Sequence, residues 1–345
     1  TECPRSTFLP VNDGRIVALD ADKGTLCESF GDHGTLDLQA GMGVKTSGFY
    51  EPTSPPVVSD KIIVVAGAVI DNYSTQEPSG VIRGFDVHTG KLVWTFHTVP
   101  HAGEPGAETW PTDAATKQGG ANAWNGSSVD AARGIVFVNT GSAADDFFGG
   151  GRPGNLRFAN STIALDANTG KRIWDFQQVH HDVWDSDSTS PPILMTITHD
   201  GRKQDVVVAT NKQSFIYVFD RATGAPVYPI VEKPFPKSNV PGEVTSPTQP
   251  VPTLPAPLSR RVITVNDLNN TTPEINAEAR AAFAQLCVGE FQPICLNQDT
   301  LVTPGFGGGN EWGGMAADQN GTIYAAVSNT SSMTRLVPNP RLAPG

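Results

Sequence analysis

Nothing in this 345-residue sequence reads as a membrane span: no apolar run approaches the roughly 20 residues a bilayer-crossing helix needs. Charge is sparse and carries no basic cluster. With a net charge of −11, that argues against nucleic acid as a partner and against docking on anionic lipid through this segment. Only four cysteines are present, Cys3, Cys27, Cys287 and Cys295, and none forms a CxxC pair, so a thiolate zinc site is not expected. Cys287 and Cys295 are close enough in sequence to bridge in an oxidising compartment; two unpaired buried thiols fit the spacing equally well. There is no phosphate loop, no Gly-x-Gly-x-x-Gly after a strand and no Gly-x-Ser-x-Gly elbow. The opening Thr1-Glu2-Cys3-Pro4-Arg5 lacks the charged-then-apolar layout of a signal peptide. The expectation is either a removed targeting segment or a chain that begins part-way through a longer protein.

What is abundant is Gly and Pro, 35 and 28 residues, which suits many short strands joined by turns. One pattern recurs four times. It runs Val17-Ala18-Leu19-Asp20 to Gly24, Gly84-Phe85-Asp86 to Gly90 and on to Trp94, Ala164-Leu165-Asp166 to Gly170 and on to Trp174, and Val218-Phe219-Asp220 to Gly224. Each copy reads as strand, tight turn, strand: the Asp can bond turn amides and the Gly can take the positive φ of a short hairpin. Apolar runs such as Ile62-Ile63-Val64-Val65 and Val206-Val207-Val208 supply further strands. A β-sandwich would not explain the recurring turn, whereas blades of a β-propeller would. The fold class expected is therefore all-β, a propeller whose uneven repeat spacing implies long functional loops. Residues 225–260 are Pro-rich and are expected to form an ordered excursion rather than a linker. A single convincing helix follows, at about 274–287, opened by Pro273 and Glu274 and filled with alanine.

Four clusters can carry chemistry. His180-His181-Asp182-Val183-Trp184-Asp185-Ser186-Asp187 packs three acids and two histidines closely enough for a metal or a general base. Asp71-Asn72 ends an apolar strand and offers hard oxygen ligands suited to calcium, although alone it equally fits a turn. Lys212 enters the strand Phe215-Ile216-Tyr217-Val218, where it needs an acidic partner unless it is simply solvated. Trp124 follows Gly119-Gly120-Ala121, small residues that would leave one ring face open to a flat cofactor, or else it is a core Trp under a glycine turn. Gly305-Phe306-Gly307-Gly308-Gly309 reads as a close backbone approach.

These stretches, with Leu9-Pro10-Val11-Asn12-Asp13-Gly14-Arg15, Ser79-Gly80-Val81-Ile82-Arg83-Gly84-Phe85-Asp86 and Glu311-Trp312-Gly313-Gly314, resemble the membrane-bound glucose/quinate/shikimate branch of the pyrroloquinoline quinone (PQQ)-dependent dehydrogenases. The resemblance covers nearly the whole chain. It implies an eight-bladed quinoprotein propeller of which only part of the blades is present here, as a partial PQQ-binding domain over 1–345. An arc left open would expose edge strands, so poor stability in isolation is expected. By the family's pattern Asp185 is the catalytic base, Asp71 and Asn72 hold the metal, and Lys212, Trp124 and Asn329 contact PQQ. One departure stands out: Ala143-Ala144 occupies the place where relatives offer a hydroxyl, so Asp145 or Asp146 would have to complete the metal shell. The implied function is PQQ- and Ca²⁺- or Mg²⁺-dependent oxidation of a sugar or polyol, glucose to gluconolactone first. Quinate or shikimate oxidation and a non-catalytic scaffold are the alternatives. Ubiquinone would accept the electrons, and an N-terminal anchor absent from this chain would hold the protein on the periplasmic side of the bacterial inner membrane.

Overall fold

The computed structural model describes residues 3–44, 46–74 and 76–339. Four antiparallel sheets follow one another along the chain, each built as a simple meander. The first joins Ser6–Val11, Arg15–Asp20 and Thr35–Asp37. The second joins Val57–Val58, Ile62–Val65, Val81–Asp86 and Leu92–His97. The third joins Ser127–Asp130, Ile135–Asn139, Ser161–Asp166 and Arg172–Gln177, and the fourth Ile193–His199, Arg202–Thr210 and Ile216–Asp220.

The apolar runs explain how these sheets stack. Side chains alternate faces along a strand, so a strand that is apolar throughout is buried on both sides. Ile63 and Val65 pack toward the first sheet with Ile16 and Ala18, while Ile62 and Val64 pack toward the third with Val136 and Val138. In turn Ile135 and Phe137 face the fourth sheet's Val207, Tyr217 and Phe219. The far side of that sheet, Val206 and Val208, is covered by Met315 and Ile323 from the ribbon Met315–Ala317/Ile323–Ala325. Sheets stacked face to face in chain order form the arc of a propeller.

The recurring turn sets the spacing between blades. Asp166 Oδ1 accepts from the N–H groups of Asn168 and Thr169 at 3.0 and 2.8 Å, and Gly170 closes the turn at φ 67°. Asp86 and Asp220 repeat the arrangement, with Gly90 and Gly224 at φ 68° and 73°. Each closing Trp then seats on the turn of the next sheet. The Trp94 indole N–H donates to Ala167 O at 3.0 Å, and a Cβ on Gly170 would lie 2.5 Å from the Trp94 ring. Trp174 donates to Arg221 O at 3.2 Å and presses on Gly224 in the same way.

The helix runs Pro273–Phe283, capped by Thr272, and stops short of about 287 because Cys287–Val288 is drawn into a parallel strand pair with Thr300–Val302. It is also not alone: short helical turns lie at Ala107–Thr109 and Ala114–Lys117. Cys287 and Cys295 are bridged, and a second bridge that the spacing did not announce joins Cys3 to Cys27. The Pro-rich excursion is ordered as a ribbon, Ile230–Pro234 paired with Thr248–Pro252. No helix among the described residues is long and apolar enough to cross a membrane.

Gly170→Ala should cost about 2–4 kcal/mol, since it adds left-handed strain to a clash with Trp94. Gly201→Ala, at φ 73° with nothing within 4 Å, should cost only about 1–2 kcal/mol. Urea unfolding of both variants measures the difference, and equal losses would mean the Trp contact does not hold the blades.

Candidate functional site

Loops at one end of these sheets enclose a cavity of about 280 Å³. Its wall carries Asp71, Glu77, Trp124, Asp146, Asp185, Asp187 and Lys212. Each arrives on a chain segment that has just left, or is about to enter, a strand: Asp71 after Ala68–Val69, Trp124 before Ser127–Asp130, Asp146 after Ile135–Asn139, and Lys212 after Arg202–Thr210. Asp185 and Asp187 come from the loop that follows Arg172–Gln177.

The dense cluster at 180–187 divides into three tasks. His180 turns away to Gln177 and Glu232, and His181 Nδ1 lies 2.7 Å from Gly154 O, so neither histidine reaches the cavity. Asp182 lies beneath the loop: its Oδ2 accepts from Ser186 N–H at 2.7 Å, from Asn160 Nδ2 at 3.0 Å and from the Ser142 hydroxyl. This brace holds Asp185 at φ 57°, a left-handed conformation that an unsupported loop would avoid. Asp185 and Asp187 then point into the cavity together.

Lys212 meets them there. Its ammonium lies 2.8 Å from Asp185, 3.2 Å from Asp187 and 3.9 Å from Glu311. Burial alone would discharge Lys212, but Asp187 and Asp185 outweigh it and hold the ammonium far above its ordinary range. Glycine makes this placement possible: Gly309 N–H donates to Lys212 O at 2.8 Å, and a Cβ on Gly308 would press on the lysine at 2.9 Å. The Gly305–Gly309 run is thus a close backbone approach, as its composition implies.

One ammonium cannot balance five carboxyl groups in a single wall. Burial opposes the charge of Asp187, yet Lys212 and the Ser142 N–H hold its carboxyl low. Burial and the neighbouring Asp187 push Asp185 well up. Asp146 is pushed up to about 11 by burial, a hydrogen bond with Asp71 and the charges around it. Burial raises Glu77 to about 6, against the N–H groups of Ser74 and Tyr73. Arg152, fully buried behind the wall, donates from Nε and Nη2 to Asp145 O and from Nη2 to Asp182 O.

The remaining residues fall as follows. Asn72 stands beside the wall, its Nδ2 donating to Asp146 Oδ2 at 2.8 Å, which makes Asp146 rather than Asp145 the partner of the Asp71-Asn72 pair. Trp124 lines the cavity, but Gly119 and Gly120 are small for another reason. A Cβ on Gly119 would sit 2.4 Å from Glu77 O, and one on Gly120 would sit 2.7 Å from Ala144 N, so they admit backbone rather than uncover the ring. Asn329 is not in the wall; its Oδ1 accepts from Arg260 N–H at 2.7 Å. Glu77 went unnoticed in the sequence, where no motif marks it. Glu311 was visible only as part of a longer motif.

The raised carboxyl of Asp146 has a consequence for stability. Folded metal-free protein keeps a proton that the unfolded chain loses near pH 4, so stability should fall as pH rises from about 5 to about 9. Asp146→Asn should flatten that slope in chelator-treated protein, as read by urea unfolding at several pH values. An unchanged slope would mean Asp146 is not the strained carboxyl.

Comparison with known proteins places the chain. The family described as glucose/ethanol/alcohol dehydrogenase, β-propeller domain, matches residues 1–344. The chain is 42% identical over 343 residues to quinoprotein glucose dehydrogenase of Escherichia coli K12, covering 98% of this chain and 42% of that protein. It is 35% identical over 321 residues to quinate/shikimate dehydrogenase (quinone) of Acinetobacter baylyi, covering 92% and 39%. The solved quinohemoprotein alcohol dehydrogenase ADHIIG of Pseudomonas putida HK5 superposes with a TM-score of 0.68 at 22% identity, over 97% of this chain and 43% of that one, which speaks for the fold alone. The chain therefore spans less than half the length of these relatives. With its stacked meanders and matching sequence, it belongs to the PQQ β-propeller family of glucose/ethanol/alcohol dehydrogenases.

Proposed function

We propose that this chain forms the cofactor-bearing part of a PQQ- and divalent-metal-dependent dehydrogenase that oxidises a hydroxyl of a sugar or polyol. The observation that carries the reading is the cavity wall, where hard oxygen donors, a flat indole and a buried lysine face one space beside a strained aspartate.

The donor set fits the metal. Asp71, Asn72 and Asp146 offer only oxygen, the chemistry that Ca²⁺ and Mg²⁺ select, and the crowding of carboxyls calls for a dication. Trp124 offers an aromatic face and Lys212 a fixed positive charge, as a planar polycarboxylate quinone requires. When bound, PQQ supplies the hydride acceptor and the metal supplies Lewis acidity. The protein's own share is proton management and charge placement. Asp185, its carboxyl pushed up by burial and by Asp187, takes the substrate hydroxyl proton; a dication nearby would favour its ionised form before that step. Lys212, 2.8 Å from Asp185, steadies that carboxylate and supplies positive charge where negative charge grows on oxygen.

For the whole protein we propose an eight-bladed propeller, a site on the periplasmic side of the bacterial inner membrane and ubiquinone as electron acceptor. Two disulfides accord with an oxidising compartment. Glucose is favoured as substrate by the 42% identity to the E. coli enzyme, with quinate or shikimate as the second reading at 35%. A scaffold would have no use for a base, a hard-metal pair and a buried lysine in one cavity.

In full-length protein loaded with PQQ and Ca²⁺, glucose should be oxidised faster than quinate, shikimate or glycerol in a dye-linked assay. Asp185→Asn should lower turnover by about 10²–10⁴-fold while leaving PQQ affinity nearly intact. Full turnover in that variant would remove Asp185 from the role of base, and quinate as the better substrate would reverse the order of the two readings.

A further inference from the structure

A second group of ligand-type side chains lies outside the cavity. His97 ends the strand Leu92–His97, and the chain then folds back in a tight turn through His101 to Glu104. Two hydrogen bonds close that turn: Glu104 N–H donates to His101 O at 3.0 Å, and His101 N–H donates to the Glu104 carboxylate Oε2 at 2.8 Å. As a result the three side chains converge. His97 Nδ1 lies 2.9 and 3.1 Å from the two oxygens of Glu104, and the His97 and His101 rings stack with centroids 3.9 Å apart and planes 14° from parallel. One ligand atom from each residue lies within 4.8 Å of the others.

We propose that His97, His101 and Glu104 form a binding site for a first-row transition-metal dication such as Zn²⁺. Two imidazoles and a carboxylate are the donor set that zinc takes when it keeps a fourth position for water. Bonds of about 2.0–2.1 Å to a tetrahedral ion place ligand atoms roughly 3.4 Å apart. The triad is therefore at most about 1.4 Å too open along its longest edge. His101 is exposed, so its ring can swing to close that gap, while His97 and Glu104 are half-buried and already paired. The Glu104 carboxyl is held below its usual range, against its burial, by the His101 N–H and the His97 ring, and so stands ready as an anion. An ion there would fasten the 98–104 turn to the strand end. A hollow of about 310 Å³ that His97, His101 and Arg83 help to line lies beside the group.

The two sites differ in kind. Oxygen-only donors in the cavity select hard dications, whereas imidazole favours zinc, copper, nickel or cobalt. None of the three residues lines the cavity, so this proposal stands whether or not the PQQ reading does.

The test uses chelator-treated full-length protein with saturating Ca²⁺, titrated with Zn²⁺ by calorimetry and with Co²⁺ by visible absorption. Wild type should bind Zn²⁺ at this site, and Co²⁺ should give the strong visible bands of a four-coordinate complex. His101→Ala should remove one equivalent or weaken it by on the order of 100-fold or more, with an unchanged far-ultraviolet circular dichroism spectrum. Glu104→Gln should do likewise, and Asp71→Asn should leave the zinc isotherm untouched. Equal zinc binding by wild type and His101→Ala, or no saturable binding at all, would overturn the assignment. Because His101 is exposed, its variant decides the question even if Glu104→Gln disturbs the turn.

Discussion

The contact on which the rest of this structure depends is a tryptophan lying on a glycine turn of the next sheet. Trp94 and Trp174 each occupy the space that a side chain at Gly170 or Gly224 would need, and each pins its indole N–H to a carbonyl of that turn. Truncating such a buried ring costs about 3–5 kcal/mol in general. The greater effect here is geometric, because the contact fixes how far and at what angle consecutive sheets stand apart. Strands that alternate their side chains between two neighbours can then bury both faces, as Ile62–Val65 and Ile135–Val138 do. Loops at one end are brought round a common cavity as a consequence of that stacking.

Within the cavity the governing quantity is charge. Lys212 is tolerated in a buried position because two aspartates meet it, and those aspartates are tolerated because Lys212 and the Ser142 N–H answer one of them. The balance stops there. Asp146 remains raised by burial, its hydrogen bond with Asp71 and the charge of Asp185, and Asp185 by burial and Asp187, beside Asp71 and Glu77. A hard dication in this wall would lower those carboxyls and, on the function proposed above, leave Asp185 ionised to act as a base. On that reading metal and base are linked through electrostatics rather than through contact alone.

Much of this was legible in the sequence because it rests on local chemistry. Asp-x-x-x-Gly turns, two-sided apolar strands and closing tryptophans are short-range patterns, and the sheets stand where those patterns put them. Asp185, Lys212, Asp71 and Trp124, singled out in the sequence, share one cavity. What eluded the sequence depends on distance along the chain. Choosing Asp146 over Asp145 turns on a hydrogen bond to Asn72, 74 positions earlier. Glu77 belongs to the wall only because two peptide N–H groups fold it inward, and the Cys3–Cys27 bridge spans 24 positions without a motif. His180 and His181 stood out as ligands by type, yet Gln177 at a strand end and the loop carbonyl of Gly154 supply nearer partners outside the cavity. The glycines before Trp124 answer to the backbones of Glu77 and Ala144, which no reading of adjacent residues reveals.

The claim that a hard dication and a planar quinone share this one cavity is tested most directly by titrating full-length protein with PQQ, first with Ca²⁺ and then with chelator, while following tryptophan fluorescence. The account predicts saturable quenching that requires the metal and that shrinks markedly in Trp124→Leu. Quenching indifferent to metal and to Trp124, or none, would contradict it.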